Sequence, residues 1–339
     1  MRGHCACDPW RGKGYVNLAG MIDPLPLTHS DILQAAARIA PHCAPTPLLT
    51  SHSLDALSGA QLIFKAEHLQ RSGAFKFRGA CNAVWSLPIE LAARGVVTHS
   101  SGNHGAALAL AARSRGIGCH VVVPEGAVAA KLANISRHGA TLWWCAPTIA
   151  AREQLCAEVQ ASSSAAIVHP YTDPAVIAGQ GTATLELLHQ SGGLDVLVTP
   201  VGGGGLAAGA ALALQCMPDC ELVLAEPSGA ADTARSLAAG ERLVDFVPDT
   251  VCDGLRGTLG APNFALLQAA GAQVITVDDA AVVRAMRLIW QILKQVVEPS
   301  SAITLAAVLA DPARFAGRRV GLILSGGNVD LDALPWAAA

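Results

Sequence analysis

Four consecutive glycines, Gly202 to Gly205, constrain this chain more than any other feature. They follow an apolar run, Leu194–Pro200, with strand character. They precede an Ala- and Leu-rich stretch, Leu206–Gln215, with helical character. Residues without Cβ lose the most conformational freedom on folding, so a run of four needs a use. A strand, a glycine turn and a helix start gather backbone N–H groups and a positive helix end around one point. That arrangement suits a phosphate monoester; a flexible turn is the plainer alternative. The run lacks the Lys-Ser/Thr of a P-loop and the spacing of a dinucleotide fingerprint, which argues against ATP hydrolysis and NAD binding.

The same strand-then-helix order recurs along the chain. Strands are expected at Leu62–Ala66, Gly95–His99, Cys119–Pro124 and Thr141–Cys145, and again at Leu222–Ala225, Val274–Val277 and Val320–Leu324. Helical patterns cover Ala106–Arg115, Ala129–His138 and Ile149–Ala161. The longest helix is expected over Asp279–Val297, capped by Asp278. This alternation predicts an α/β fold with mostly parallel sheets covered by helices on both faces. In such sheets ligands bind at the carboxyl ends of strands. The 339 residues are too many for one small core, and with 4% aromatics Ala, Val, Ile and Leu must fill it.

Three further motifs follow strands. Ser72-Gly73-Ala74-Phe75-Lys76-Phe77-Arg78-Gly79-Ala80 holds one lysine between two aromatic rings. An apolar wall desolvates an ammonium and lowers its pKa, as a Schiff-base lysine requires. Read alone, such a lysine is more often a snorkelling surface residue. Ser100-Ser101-Gly102-Asn103-His104-Gly105 leads into a helix, where N–H groups approach an anion such as an α-carboxylate. An ordinary capped turn would look the same. Ser325-Gly326-Gly327-Asn328 ends the last apolar strand, and Ser325 offers one hydroxyl there.

Together the four motifs resemble the fold type II pyridoxal-phosphate enzymes, the serine/threonine dehydratases and serine racemases. The likeness runs from Thr46-Pro47-Leu48 to Asn328-Val329-Asp330. It is strongest to the serine racemase and hydroxyaspartate dehydratase branch. There it rests on Thr98-His99-Ser100-Ser101-Gly102-Asn103-His104-Gly105, Ala178-Gly179-Gln180-Gly181-Thr182 and Ser325-Gly326-Gly327-Asn328-Val329-Asp330.

The resemblance implies two lobes, each built on a mostly parallel open sheet covered by helices, as in the tryptophan synthase β chain. Residues 27–94 and 171–339 would form the large lobe and 95–170 the small one. It implies pyridoxal phosphate as cofactor, with Lys76 as the Schiff-base lysine and Phe75 packed on the ring. Asn103 would bond the phenolic oxygen, Gly202, Gly203, Gly204, Gly205 and Leu206 would cup the phosphate, and Ser325 would bond the pyridine nitrogen. Ser100, Ser101, Gly102, Asn103 and His104 would hold the substrate. Ser101 matches the hydroxyl that faces the lysine across Cα in racemases. Arg152 and His104 are candidates for a second, side-chain carboxylate, since an arginine grips a carboxylate bidentately; a helix-surface arginine is the alternative. Glu226, the Ala230 carbonyl and Asp232 match a divalent-cation site, whose hard oxygens suit Mg²⁺, Ca²⁺ or Mn²⁺; a solvated acidic turn is the alternative. A homodimer is expected.

The expected activity is that of an ammonia-lyase. It would dehydrate a small β-hydroxy amino acid of the serine, threonine or 3-hydroxyaspartate type to a keto acid and ammonia. A serine- or aspartate-type racemase on the same scaffold is the alternative. A non-catalytic amino-acid binder is a further alternative that the intact Lys76 argues against. A sulfur-handling β-replacement enzyme is another, opposed by Ser100–His104 standing where its Asn-Pro-rich loop would be. Ala74 departs from the usual Ser before Phe-Lys, Tyr171 looks dehydratase-like, and Gly257-Thr258 stands where racemases often have Ser-Ser.

The net charge of −3 and the lack of basic clusters argue against nucleic-acid or membrane-surface partners. No run approaches the roughly 18 apolar residues that span a bilayer. Residues 1–26 read as a loose extension; Arg2, Arg11 and Lys13 are followed by no apolar core, so no signal peptide is expected. Ten scattered cysteines, Cys5 and Cys7 among them, fit free thiols in a reducing cytoplasm.

Overall fold

The computed structural model describes residues 27–127 and 129–336. The expected N-terminal extension, with Cys5 and Cys7, lies outside the described residues.

Among the described residues, ten strands form two sheets. The strands are β1 (Leu48–Leu49), β2 (Gln61–Lys65), β3 (Val96–His99), β4 (Cys119–Pro124), β5 (Thr141–Cys145), β6 (Ala166–Ile167), β7 (Val196–Pro200), β8 (Glu221–Pro227), β9 (Gln273–Val277) and β10 (Arg319–Ile323). The larger sheet has the order β1-β2-β10-β7-β8-β9, and the smaller β5-β4-β3-β6. All strands of the smaller sheet fall between residues 96 and 167, and all strands of the larger fall outside that range. Every pairing is parallel except β1 with β2. The central strand β7 is buried at every position, as its unbroken Val-Leu-Val-Thr-Pro run demands between two helical layers. The α/β class with helix-covered parallel sheets is therefore as the sequence predicts.

Helices were harder to read. The longest helix among the described residues is Pro174–Ser191, which carries Ala178-Gly179-Gln180-Gly181-Thr182 in its buried middle. A Cβ on Gly209 would lie 2.5 Å from the Gly181 amide nitrogen, and one on Gly179 would lie 2.6 Å from Gly79 Cα. These glycines let helices Lys76–Ser86, Pro174–Ser191 and Gly205–Ala213 touch backbone to backbone. The helix expected over Asp279–Val297 stops at Leu288. One π turn follows at Ile289–Leu293, and Lys294 then turns the chain with φ +59°. Asp278 caps it as expected, its side chain accepting from the Ala281 N–H at 2.6 Å. The buried helix Pro299–Ala310 comes next.

Candidate active site

All four motifs end up around one cavity of about 570 Å³, within the usual size for a small-ligand site. Phe75, Lys76, Ser100 to His104, Arg152, Gly202 to Leu206 and Ser325 all line it. Their strands explain the convergence. The Ser100 loop follows β3, the glycine run follows β7 and Ser325 follows β10, so each sits at the carboxyl end of a parallel strand.

Lys76 is placed by backbone pairing rather than by side-chain packing. The Phe75 N–H donates to the Ser325 carbonyl at 2.9 Å, the Gly327 N–H to Gly73 O at 3.0 Å, and Ala74 bridges Gly326. This short ladder sets Lys76 at the first turn of helix Lys76–Ser86, beside Ser325. Its Nζ donates to the Pro170 carbonyl at 2.9 Å and lies 5.1 Å from the Phe75 ring centroid. Burial pulls the Lys76 ammonium down to about 8, against the opposing field of Glu298. The lowered pKa makes the neutral, nucleophilic amine far more accessible than in an ordinary lysine.

Glu298 was not found from the sequence. It is 3% exposed, lines the same cavity, and is pushed up to about 7 by its burial. Asn103 Nδ2 donates to its Oε1 at 2.8 Å, while Asn103 Oδ1 accepts from Asn328 Nδ2 at 2.9 Å. Asn328 Nδ2 also donates to Ser72 O at 2.8 Å. The chain fixes which way the Asn103 amide points and leaves its second N–H for a ligand. Two motif glycines make room for it. A Cβ on Gly73 would meet Asn328 Oδ1 at 2.5 Å, and one on Gly326 would meet Glu298 Oε1 at 2.5 Å.

The glycine run has a different reason than open access alone. A Cβ on Gly203 would lie 2.5 Å from the Tyr171 ring, and one on Gly202 2.8 Å from Leu255 Cα. Gly204 has φ +88°, a conformation L side chains rarely take. The run is squeezed between Tyr171 and the loop at Leu255 so that helix Gly205–Ala213 starts at the cavity wall. The first N–H groups of that helix have no partner within it, and its positive end faces the cavity. Ser325, 3% exposed, makes only a long 3.5 Å contact to the Ser300 carbonyl, which leaves its hydroxyl free to turn to a ligand. Anion-binding backbone, a desolvated lysine, an oriented amide and a neutral hydroxyl are a donor set that fits pyridoxal phosphate.

Arg152 lines the same cavity, and its Nε is buried without a hydrogen-bond partner among the described residues. His104 differs. It is 2% exposed, its Nε2 lies 3.3 Å from the Val168 carbonyl, and burial with the Lys76 charge holds its pKa well below the usual range. It stands as a neutral ring that donates to Val168, not as a cation. The chain His99–His169–Tyr171 packs edge to face nearby, with centroids 5.2 and 4.6 Å apart.

Glu226 and Asp232 stand outside the cavity lining, behind its loop. Glu226 is buried at the end of β8, and its two oxygens accept from the Thr233 N–H at 2.8 Å and the Ala234 N–H at 2.9 Å. Asp232 Oδ2 accepts from the Leu259 N–H at 2.8 Å, and its buried Oδ1 has no partner. Burial pushes Glu226 up to about 7 and raises Asp232, the neighbouring Asp232 charge adding to the first. Among the described residues no three His, Cys, Asp or Glu side chains gather. No described helix is long and apolar enough to cross a membrane.

The fold and the donor set together define a pyridoxal-phosphate enzyme, and the chain belongs to the pyridoxal-phosphate dependent enzyme family, matching it over residues 39–326. It is 48% identical to a beta-hydroxyaspartate dehydratase of Paracoccus denitrificans, over 91% of this chain and 98% of that one. It is 46% identical to a serine racemase of Arabidopsis thaliana, over 89% and 93% of the two chains. Its fold superposes on the structure of maize serine racemase with a TM-score of 0.88, at 43% identity, covering 91% and 95%. The lyase expected from the sequence and the racemase set beside it are thus the two activities these relatives carry.

Proposed function

We propose that this chain is a 3-hydroxyaspartate dehydratase that releases a keto acid and ammonia. The observation that carries the reading is Arg152. Arg152 lines the cavity, and its Nε is buried with no hydrogen-bond partner among the described residues, so its guanidinium is uncommitted and suits a substrate side-chain carboxylate. Serine and threonine have no group to match it. The identity to a beta-hydroxyaspartate dehydratase supports the same choice.

Pyridoxal phosphate, when bound, supplies a carbonyl for the substrate amine and an electron sink for Cα. The protein does the rest. Backbone N–H groups at Gly202–Leu206 hold the phosphate, and Asn103, held by Glu298 and Asn328, donates to the phenolic oxygen. Ser325 donates to the ring nitrogen without protonating it, since a hydroxyl is a weak acid. The Ser100–His104 backbone binds the α-carboxylate, and Arg152, not the neutral His104, binds the β-carboxylate. Lys76 Nζ holds the cofactor and then takes the α-proton as the general base.

The serine-type racemase is the second reading. Ser101 lines the cavity, and the resemblance to racemases makes its hydroxyl the candidate for a second face of Cα. A divalent cation at Glu226, the Ala230 carbonyl and Asp232 belongs to the proposal, supported by the buried carboxylates and the free Asp232 Oδ1. Lobe limits near residues 95 and 170 belong to the same reading, supported by the smaller sheet taking its strands from residues 96–167. A homodimer and a cytoplasmic setting rest on the resemblance and on the scattered free thiols.

The test is a coupled keto-acid assay on 3-hydroxyaspartate isomers, serine and threonine, with chiral analysis of recovered substrate. Turnover of 3-hydroxyaspartate well above serine is expected. Arg152→Met should raise KM for hydroxyaspartate about 30-fold or more, roughly 2 kcal/mol of charge-assisted bonding, and leave serine turnover near its starting level. Serine preference with racemised substrate would replace the first reading by the second.

A further inference from the structure

Arg78 does not line the cavity, yet it is among the largest of the described side chains to be almost fully buried, at 2% exposure. It sits two residues after Lys76, in the first turn of helix Lys76–Ser86. At about 100° of rotation per residue the two side chains leave opposite sides of the helix. Lys76 faces the cavity, and Arg78 reaches back into a buried cluster of charge. Glu67 grips its guanidinium as a fork, Nε donating to Oε2 at 2.7 Å and Nη2 to Oε1 at 2.8 Å. Nη1 donates to Glu186 Oε2 at 3.1 Å. Lys65 Nζ donates to the other Glu186 oxygen at 2.6 Å, and Thr46 Oγ1 donates to Glu67 Oε1 at 2.6 Å. Two cations and two anions thus balance one another. Burial opposes the charge on Arg78, but Glu67 and Glu186 outweigh it and raise its pKa. The cluster ties the helix to strand β2 through Lys65, to the turn after β2 through Glu67, and to helix Pro174–Ser191 through Glu186.

We propose that Arg78 is a positioning residue, whose fork on Glu67 fixes the rotation of the first helical turn and so aims Lys76 Nζ into the cavity. This role rests on Lys76 acting as cofactor lysine and general base, as proposed above. The ladder through Phe75 secures the chain before the helix, and no side chain caps the helix start. A turn held at its entry can still pivot about that point. One neutral bond, from the Gly79 N–H to Gln180 Oε1 at 3.1 Å, supplements the fork. A planar guanidinium with two parallel bonds to one carboxylate resists rotation as well as displacement. An ammonium in its place keeps the charge but makes point contacts, so the turn is freer to swing. Such a swing moves Nζ relative to the atom whose proton it takes, and proton transfer is sensitive to that distance.

Arg78→Lys and Glu67→Gln are each made in the full chain. Steady-state kinetics use whichever β-hydroxy amino acid the unaltered protein turns over fastest, and cofactor loading is followed against pH. In Arg78→Lys kcat should fall about 10-fold or more. KM should change little, because Arg152 and the Ser100–His104 loop hold the substrate from other elements. The loading midpoint, about 8 in the unaltered protein, should rise toward the ordinary lysine range as Lys76 gains water. Glu67→Gln should show the same two changes, and it decides the matter if Arg78→Lys does not fold. The double variant should lose less kcat than the product of the two single losses, since both act through one fork. Gly209→Ala disturbs packing without touching the fork, so its loading midpoint should stay in place. With borohydride fixing the cofactor to Lys76 in the unaltered protein, a normal kcat and loading midpoint in the fork variants would overturn the positioning role and leave Lys76 as assigned. An equal midpoint shift in Gly209→Ala would overturn it too, by making the effect one of stability. Cofactor fixed to another lysine would overturn both.

Discussion

At the scale of the residue, the site works by taking polar groups out of water and giving each a fixed partner. Lys76 shows this in its pKa. A buried ammonium has lost its hydration, so the neutral amine is favoured and the pKa falls to about 8. Only the neutral amine attacks a carbonyl. Cofactor loading by the cofactor-free protein should therefore speed up with pH and level off above about 8. The rate at which the cofactor absorbance band appears, followed from roughly pH 6 to 10, measures this. A midpoint in the ordinary lysine range would show that Lys76 is not the attached residue, as would borohydride fixing the cofactor to another lysine. Glu298 shows the same principle for an amide. Asn103 can present its second N–H to a ligand only while Glu298 accepts the first and Asn328 donates to its oxygen. Glu298→Leu should weaken cofactor binding about 10-fold, in line with the loss of a charge-assisted bond. Glu298→Gln keeps an acceptor and should recover most of that affinity. Titration of cofactor into cofactor-free protein reads both variants without turnover. Equal losses in the two would make Glu298 a charge near Lys76 rather than a positioning residue.

At the scale of the element, strands were legible and helices less so, for a physical reason. Strands such as β7 and β4 are short apolar runs rich in β-branched valine and bounded by turn residues, and that length and composition set them apart from buried helix. The helices of this core are buried on nearly every side, so they lack the polar face that gives a helix its period. Gly205–Ala213 is buried at every residue, and it was legible at Leu206–Gln215 only because an Ala- and Leu-rich run follows the four glycines. Pro174–Ser191 carries no polar period over its buried middle, and its Gly179 and Gly181 are close-packing contacts. Asp279–Val297 failed in the opposite sense. Its apolar run continues past the true end, and nothing local marks the turn at Lys294. The site was legible where a motif carried it and not where a single residue did. Glu298 had one signal, a lone acid at Val297-Glu298-Pro299 before a helix with no charged residue. The packing account predicts that Gly209→Ala lowers stability by about 1–3 kcal/mol, because its Cβ meets backbone that cannot move aside. Urea unfolding would measure it. Turnover per folded molecule should not change, since Gly209 does not line the cavity. An unaffected midpoint would mean the helices part easily and the glycine contacts are incidental.

At the scale of the whole molecule, the cavity is a meeting of strand ends from two sheets, and its loops are only as firm as what lies behind them. The loop through Gly254 to Thr258 forms one wall of the cavity. Directly after it, the Leu259 N–H is held by Asp232, which neighbours Glu226 in a buried acidic pair behind β8. Two buried carboxylates with only N–H partners repel each other, and Asp232 keeps one oxygen unsatisfied. A divalent cation bound by hard oxygens would relieve both defects and brace the loop against the large sheet. Chelation with EDTA should then lower the melting temperature of the holoenzyme and raise the dissociation constant for the cofactor, with Mg²⁺ or Mn²⁺ restoring both. The gain on saturation follows mass action, about 2.7 kcal/mol when free metal is a hundred times its dissociation constant. Asp232→Asn separates the cation from a general effect of chelator. It keeps an oxygen for Leu259 but removes a charge, so its stability should respond little to EDTA or added metal. If the unaltered protein also ignores chelation and elemental analysis finds no metal, Glu226 is a helix cap for Thr233 and Ala234 and the cation is excluded.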